Sequence, residues 1–423
     1  MRKTDSYKSA GWIVLAGLVM GLGFGFFFLR ANPASCGDVD GFGQLGATFA
    51  EHGHLAGSIR RGPIYPVFLG LLYAGFGKGN HAAVIGGQTL LLILLGLSAR
   101  RISQALFASE RAAFWTGMAV VLHPLSWWYV PRLWVELCDA LFVLWMVFAA
   151  IRAVEQPTWR RLAGFGLLAG LSSLCKATTL LYPPFLAAGV GVGALVRGRA
   201  FAHLGVQDWL KFALVPLVVM ALTIAPWTAR NWKVSGRWVP VSSNLGVEFF
   251  RGTVFADHNS HLLRRTIPEI WAVAMQREAA VLQAHGYPEG AQPDWAEKDD
   301  VFDPLMKDYV RHSPAAFAVK IAKQIPAFWI RGETRGKSLV FMACALGTLG
   351  LWGWSSWCRR SFSATGVVLW TVLYFNLLYA AVLAWARYSM PLYPLLLLVG
   401  IPGAMEALER MRANRRQVSI FLE

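Results

Sequence analysis

Charge is scarce in this chain: only 15% of its 423 residues are Asp, Glu, Lys or Arg, against 56% hydrophobic residues. A water-soluble domain of this length seldom carries so little charge, and the mean hydropathy is positive, so the lipid bilayer is its main solvent. Strict apolar/polar alternation is also missing. That excludes a membrane β-barrel and leaves helices as the spanning element, since each apolar run is long enough to satisfy its own backbone as a helix. Cysteine is rare, and Cys36, Cys138, Cys175, Cys344 and Cys358 form no CxxC pair or metal-ligand spacing; they read as small apolar fillers. No internal repeat, low-complexity tract or Asn-x-Ser/Thr sequon is present.

Acids are scarcer than bases, 24 against 40, giving a net charge of +16. A nucleic-acid binder would gather its bases on one soluble face. Here they fall in short clusters between apolar runs: Arg2, Lys3 and Lys8; Arg100, Arg101 and Arg111; Arg152, Arg160 and Arg161; Arg197 and Arg199; Arg359 and Arg360; Arg410, Arg412, Arg415 and Arg416. Every second connection is basic, which is the positive-inside pattern; it excludes nucleic acid as a partner and puts both termini in the cytoplasm. The first apolar run, Gly11 to Leu29, lacks a convincing cleavage site and is read as a retained helix.

Alternating direction then places spans at roughly 11 to 30, 82 to 100, 112 to 130, 134 to 151, 162 to 179, 181 to 196, 209 to 227, 338 to 356, 364 to 384 and 388 to 405. The stretch from Ile64 to Phe76 is too short to cross, and counting it would put Arg100 and Arg101 outside. It is expected as a juxtamembrane or re-entrant helix opened by Pro63 and Pro66. The expected fold is an all-α polytopic membrane protein of about ten transmembrane helices, with juxtamembrane helices and a small helical extracytoplasmic cap. Residues 1–227 form an N-terminal transmembrane module whose first outer loop is 31–78; residues 228–336 form the cap; residues 337–423 form a C-terminal transmembrane module and a basic cytoplasmic tail set against anionic lipid.

If bases mark the cytoplasm, bases at the outer ends of spans need another reason. They are Arg60, Arg61, Arg132, Lys176, Arg230 and Arg387. A charge near the hydrocarbon costs up to about 3 kcal/mol, and such residues mark functional pathways or reach back to headgroups. Cations at this depth suit a lipid phosphate. Carboxylates accompany them: Asp38 and Asp40 just past the first span, Glu51 further on, and Glu136 and Asp139 spaced i+4 and i+7 from Arg132. That spacing puts the three on one helix face, either as a structural Arg132–Glu136 pair or as part of a reaction centre.

At these positions the chain resembles the GT-C superfamily of membrane glycosyltransferases, and most closely its branch of protein O-mannosyltransferase and aminoarabinose-transferase relatives (glycosyltransferase family 39-like). Gly37-Asp38 followed by Phe42 looks like the family's loop motif of Asp, three residues and an aromatic, with Phe42 where tyrosine is usual. Arg61-Gly62-Pro63-Ile64-Tyr65-Pro66 is similar to an Arg-Pro-Pro-x-Tyr-Pro run, with Gly62 in place of one proline. Leu133 to Phe142 with Glu136, Gly164 to Thr178 with Lys176, Pro226-Trp227-Thr228-Ala229-Arg230-Asn231 and Arg387-Tyr388-Ser389-Met390-Pro391 follow in the family's order. The resemblance implies transfer of a sugar, with inversion, from a polyprenyl-phosphate donor to an acceptor hydroxyl on a glycan, lipid or protein outside the cytoplasm, in a bacterial inner membrane.

A sugar hydroxyl is a poor nucleophile, so a carboxylate must take its proton as the new bond forms. Asp38 is expected in that role, with Asp40 as the fallback and Glu136 as a further acid of the site. A phosphate leaving group needs charge stabilisation more than a proton. Arg61, Lys176, Arg230 and Arg387, with Arg132 and Tyr65, are the expected phosphate-binding residues. No cofactor is implied beyond the lipid-phosphate sugar itself. A divalent ion between Asp38, Asp40 and Glu136 is a less favoured option, since the closer branch generally works without one. Other classes share some of these features: a lipid-linked glycan polymerase or ligase, and a lipid or sugar transporter or flippase.

Overall fold

A computed structural model describes residues 3–38, 40–55, 57–197, 205–258, 266–291, 293–358 and 362–422. Arg2, Arg199, Arg359 and Arg360, which entered the charge count, lie outside the described residues, as do the side chains of Lys3, Arg197, Arg415 and Arg416.

The chain opens with α1 (Lys3–Leu18), which runs through a π-helical turn, Val19–Gly23, into α2 (Phe24–Ala31). Then come α3 (Phe42–His52) and α4 (Ile64–Phe76), which pack on each other. At 1.5 Å per residue, α4 with its 13 residues is roughly 20 Å long, well short of the ~30 Å hydrocarbon core. Next are α5 (His81–Phe107), α6 (Glu110–Leu122), α7 (Pro124–Trp128), α8 (Glu136–Glu155), α9 (Trp159–Cys175), α10 (Tyr182–Arg197) and α11 (Val206–Ser235). Four helices follow as one block: α12 (Leu245–His258), α13 (Ile267–Ala284), α14 (Trp295–His312) and α15 (Pro314–Ile330). The chain returns through α16 (Arg335–Cys358), α17 (Phe362–Ala381) and α18 (Leu392–Leu422).

Among the described residues, 7 helices are long and apolar enough to cross a bilayer: Lys8–Ala31, His81–Phe107, Glu136–Glu155, Val206–Ser235, Arg335–Trp357, Ala364–Ala381 and Leu392–Arg412. Large apolar side chains on their outer faces, such as Trp12, Leu214, Val218, Leu222, Leu339 and Leu346, are left exposed. In a membrane these meet lipid rather than water. The protein is an all-helical polytopic membrane protein.

The other three expected spans form shorter helices. The one at 112 to 130 is broken where Pro124 follows His123, whose ring nitrogen accepts the Leu125 N–H at 3.3 Å and caps α7. α9 has 17 residues and α10 has 16, at the lower limit for a crossing. At the centre lies α8, apolar and buried around most of its circumference through Leu137, Val143, Leu144, Met146, Val147 and Ile151.

The helical block has its own small core of Val247, Leu282, Val301 and Phe302. Buried Glu278 accepts from Arg251 at 2.8 Å and from Lys298 at 2.9 Å, so its charge is matched rather than stranded. Capping boxes at Thr266 and Glu269, and at Asp294 and Glu297, start α13 and α14. The block is fastened to the bundle by α15, whose Lys320 donates to the carbonyls of Ala381 and Val382. Gln324 there donates to Ala380 O at 3.1 Å and accepts the Ala384 N–H at 2.9 Å. These ties satisfy the open C-terminal end of α17 and fix the chain that leads on to Arg387.

Candidate active site

α8 and α9 are sequential neighbours in space, so the first turn of α8 meets the last turn of α9. Glu136 and Asp139 sit in that first turn, where the helix dipole favours anions, and Lys176 is the C-cap of α9, where it favours a cation. Lys176 Nζ lies 3.8 Å from Glu136 and 3.7 Å from Asp139. Both carboxylates are fully buried, so removing one partner would leave a charge stranded.

Arg387 enters from a 3-10 turn, Ala386–Ser389, just before α18. Its Nε is 3.3 Å from Glu136, and its terminal nitrogen donates to Asp40 at 2.9 Å. Asp40 also accepts from Arg61 at 3.3 Å. Burial alone would raise the Asp40 carboxyl, but Arg387 and Arg61 outweigh it and hold it at about 2. Arg61 comes close because the next residue is Gly62. A Cβ there would stand 2.2 Å from the Leu174 carbonyl, so only glycine lets this loop lie on the end of α9. Tyr388 and Tyr379 stack on each other at 4.6 Å and present their faces to Lys176, at 4.8 and 5.6 Å.

Among the described residues, then, Asp40, Arg61, Glu136, Asp139, Lys176 and Arg387 form one cluster from five separate segments. Of the residues expected from sequence, Asp40, Glu136, Arg61, Lys176 and Arg387 come together. Tyr65 borders them: it is fully buried, packs edge-on against Phe42 at 5.0 Å, and its hydroxyl has no hydrogen-bond partner. Asp38 takes a different place. It is exposed, and its Oδ2 accepts the Gln44 N–H at 2.8 Å. It borders the Leu133 segment across Gly43, where a Cβ would meet Asp38 at 3.1 Å and Leu133 at 3.3 Å. The ion pairs to Arg61 and Arg387 are made by Asp40.

Arg230 lies under the loop instead of in the cluster. It donates to Ser58 O at 2.7 Å and Leu55 O at 3.4 Å and faces Trp227 at 4.6 Å. Its neighbours in the Pro-Trp-Thr-Ala-Arg-Asn block also grip backbone: Trp227 donates to Val241 O at 2.9 Å, and Asn231 to Val239 O at 3.0 Å. The block works as a clasp between α11 and two loops.

The Arg132–Glu136 pair does not form. Pro131 follows the irregular turn after α7, and α8 begins only at Glu136, so Arg132 shares no helix face with it. Arg132 is 2% exposed, is enclosed by Phe28, Trp128 and Trp134 at 4.9 to 5.1 Å, and faces Glu333 at 3.8 Å. There it helps line a cavity together with Trp134, Arg331, Glu333, Lys337 and Arg387. Sequence reasoning missed Arg331, Glu333 and Lys337. The signal was present: bases at the start of the 338 to 356 span fall on the expected outer side, as do the six residues singled out.

No family model matches this chain, and no curated protein sequence does. Its fold is similar to that of the archaeal oligosaccharyltransferase AglB from Archaeoglobus fulgidus, solved in complex with an inhibitory peptide and a dolichol-phosphate, with a TM-score of 0.55 and 11% identity. The likeness covers 99% of this chain and 52% of that one, so this chain spans about half its length. At that identity the comparison shows the fold alone: the chain shares the helical architecture of the matched half of that protein.

Proposed function

We propose that the protein is an inverting glycosyltransferase that moves a sugar from a polyprenyl-phosphate carrier to an acceptor hydroxyl on a lipid, glycan or protein. The observation that carries this reading is the convergence of Asp40, Glu136 and Asp139 with Arg61, Lys176 and Arg387 at one end of a membrane bundle. Charges buried at that depth are costly to keep and mark function. The dolichol-phosphate in the structure of similar fold supports a lipid-linked donor. The distribution of bases supports an outward-facing centre with both termini cytoplasmic, in a bacterial inner membrane.

In this reading Asp38 is the general base. Asp40 is held at about 2 by two arginines, which makes it a weak proton acceptor and a good anchor for Arg61 and Arg387. Asp38 accepts a backbone N–H on one oxygen and is exposed, so its other oxygen can take the proton of an entering hydroxyl. The new bond from acceptor oxygen to anomeric carbon forms as the bond to phosphate breaks, and the departing charge is met by cations. A divalent ion fits these residues poorly. Asp40 and Glu136 already face Arg387, and among the described residues no three metal-ligating side chains converge. Activity should therefore survive a chelator.

The test is mass spectrometry of envelope glycans and glycolipids from a deletion strain. The reading predicts one missing saccharide and a build-up of its lipid-linked donor. An unchanged profile would refute it.

A further inference from the structure

Beside the carboxylate cluster lies the cavity lined by Arg132, Arg331, Lys337 and Arg387, with a single carboxylate, Glu333, among the acids and bases of its wall. The two regions differ in balance. In the cluster, three carboxylates face three cations. In the cavity, Arg132 and Lys337 share Glu333, Arg331 stands on the same wall, and Arg387 is common to the cavity and the cluster. Two guanidinium nitrogens of Arg132, Nε and one terminal nitrogen, are buried without a hydrogen-bond partner. Arg331 is 1% exposed and donates to the His258 carbonyl at 3.2 Å. Buried donors left open beside excess positive charge fit an anion with several acceptor oxygens.

Glu333 already fills part of that demand. One of its oxygens lies 3.8 Å from Arg132, too far for a hydrogen bond, and the other pairs with Lys337. Its side chain is 30% exposed, so it can swing away without leaving a buried charge behind. It sits in the short link Gly332 to Thr334 between α15 and α16, outside both helices. We infer that Arg132, Arg331 and Lys337 form a phosphate site and that Glu333 is its built-in competitor, occupying the cations until a phosphate displaces it.

This rests on the glycosyl-transfer reading for why a phosphate should arrive here: seated in the cavity, it would touch Arg387, the cation shared with the carboxylate cluster. A carboxylate in place of the phosphate keeps the cations paired in the empty enzyme. It also lowers affinity for the spent carrier, which has to leave.

The test measures binding of farnesyl phosphate and of inorganic phosphate to the purified full-length protein in detergent. Glu333→Gln should tighten binding about five- to tenfold, because an ion pair no longer has to be broken and a like charge is gone. Lys337→Met should weaken it about tenfold or more. A gain of affinity cannot come from misfolding, and thermal midpoints of both variants verify the fold. Farnesyl phosphate binding far more tightly than inorganic phosphate assigns the site to the lipid carrier; equal binding assigns it to soluble phosphate, and either outcome supports the site. Unchanged or weaker binding by Glu333→Gln, unchanged binding by Lys337→Met, or no binding of either probe overturns it. No sugar transfer is read, so failure of the glycosyltransferase reading would leave the binding result intact.

Discussion

Replacing Asp40 with Asn keeps the shape of the side chain and removes the charge shared by Arg61 and Arg387. Its carboxyl is held from the ordinary 3.8 down to about 2, against a burial effect that pushes the other way. At about 1.4 kcal/mol for each pH unit, the charged form contributes roughly 2.5 kcal/mol of stability at neutral pH. With an unfolding entropy of about 2.1 cal/mol/K per residue, that is a fall of about 3 °C in thermal midpoint. The sign follows from the depressed value: the contribution is full above pH 3.8 and is lost as pH falls through about 2. The deficit of Asp40→Asn against the parent should therefore be constant from pH 8 to 5 and roughly halved near pH 3. The assay is thermal unfolding in detergent, followed by a thiol-reactive dye that reports the free cysteines Cys36, Cys138, Cys175 and Cys344. A variant with an unchanged midpoint at pH 7, or with a deficit undiminished at pH 3, would refute the assignment of Asp40 as the anchor of the two arginines.

Other expectations follow from the same contacts. Asp38→Asn should lose at least about a hundredfold in turnover with donor binding largely kept, while an Asp38→Asn enzyme at the parent rate beside a dead Asp40→Asn would reverse the two roles. Gly62→Ala should destabilise by several degrees or fail to assemble, because its Cβ would collide with a backbone carbonyl, and expression with thermal unfolding checks it. Arg230→Ala should lower the thermal midpoint while changing phosphate affinity less than twofold, since it donates to the carbonyls of Ser58 and Leu55 and to the Asn231 side chain. Asp299 is raised to about 6 by burial, so Asp299→Asn should raise the midpoint at pH 7, and the gain should vanish as pH falls toward 4.

Much of the architecture was legible in the chain, for physical reasons. Apolar runs of about 20 residues have few other uses, and the 13-residue helix at Ile64–Phe76 betrayed itself by length. Five of the expected site residues converge, and each was picked by one criterion, a charge at the expected outer end of a span. Geometry inside irregular segments was not legible. Asp38 and Asp40 are two residues apart in a loop with no period, so nothing in the sequence says which one turns toward the arginines. The Arg132–Glu136 spacing is helical only if the helix begins early enough, and Pro131 and the turn before it delay its start to Glu136. Arg230 looked like a phosphate ligand because it is a cation at the right depth, yet the nearest acceptors were carbonyls of its own chain. Arg331, Glu333 and Lys337 were passed over because they fall at the seam between cap and bundle, where neither pattern applies.

For a transfer outside the cytoplasm, the carboxylate and cation centre must open to the outer face of the membrane. Asp38 is exposed two residues before Asp40, so Asp38→Cys is the probe, in a background whose native cysteines are replaced by alanine. Treated with a membrane-impermeant maleimide, the variant should label in right-side-out membrane vesicles and be shielded in inverted ones. Labelling confined to inverted vesicles would place the centre in the cytoplasm and contradict the account.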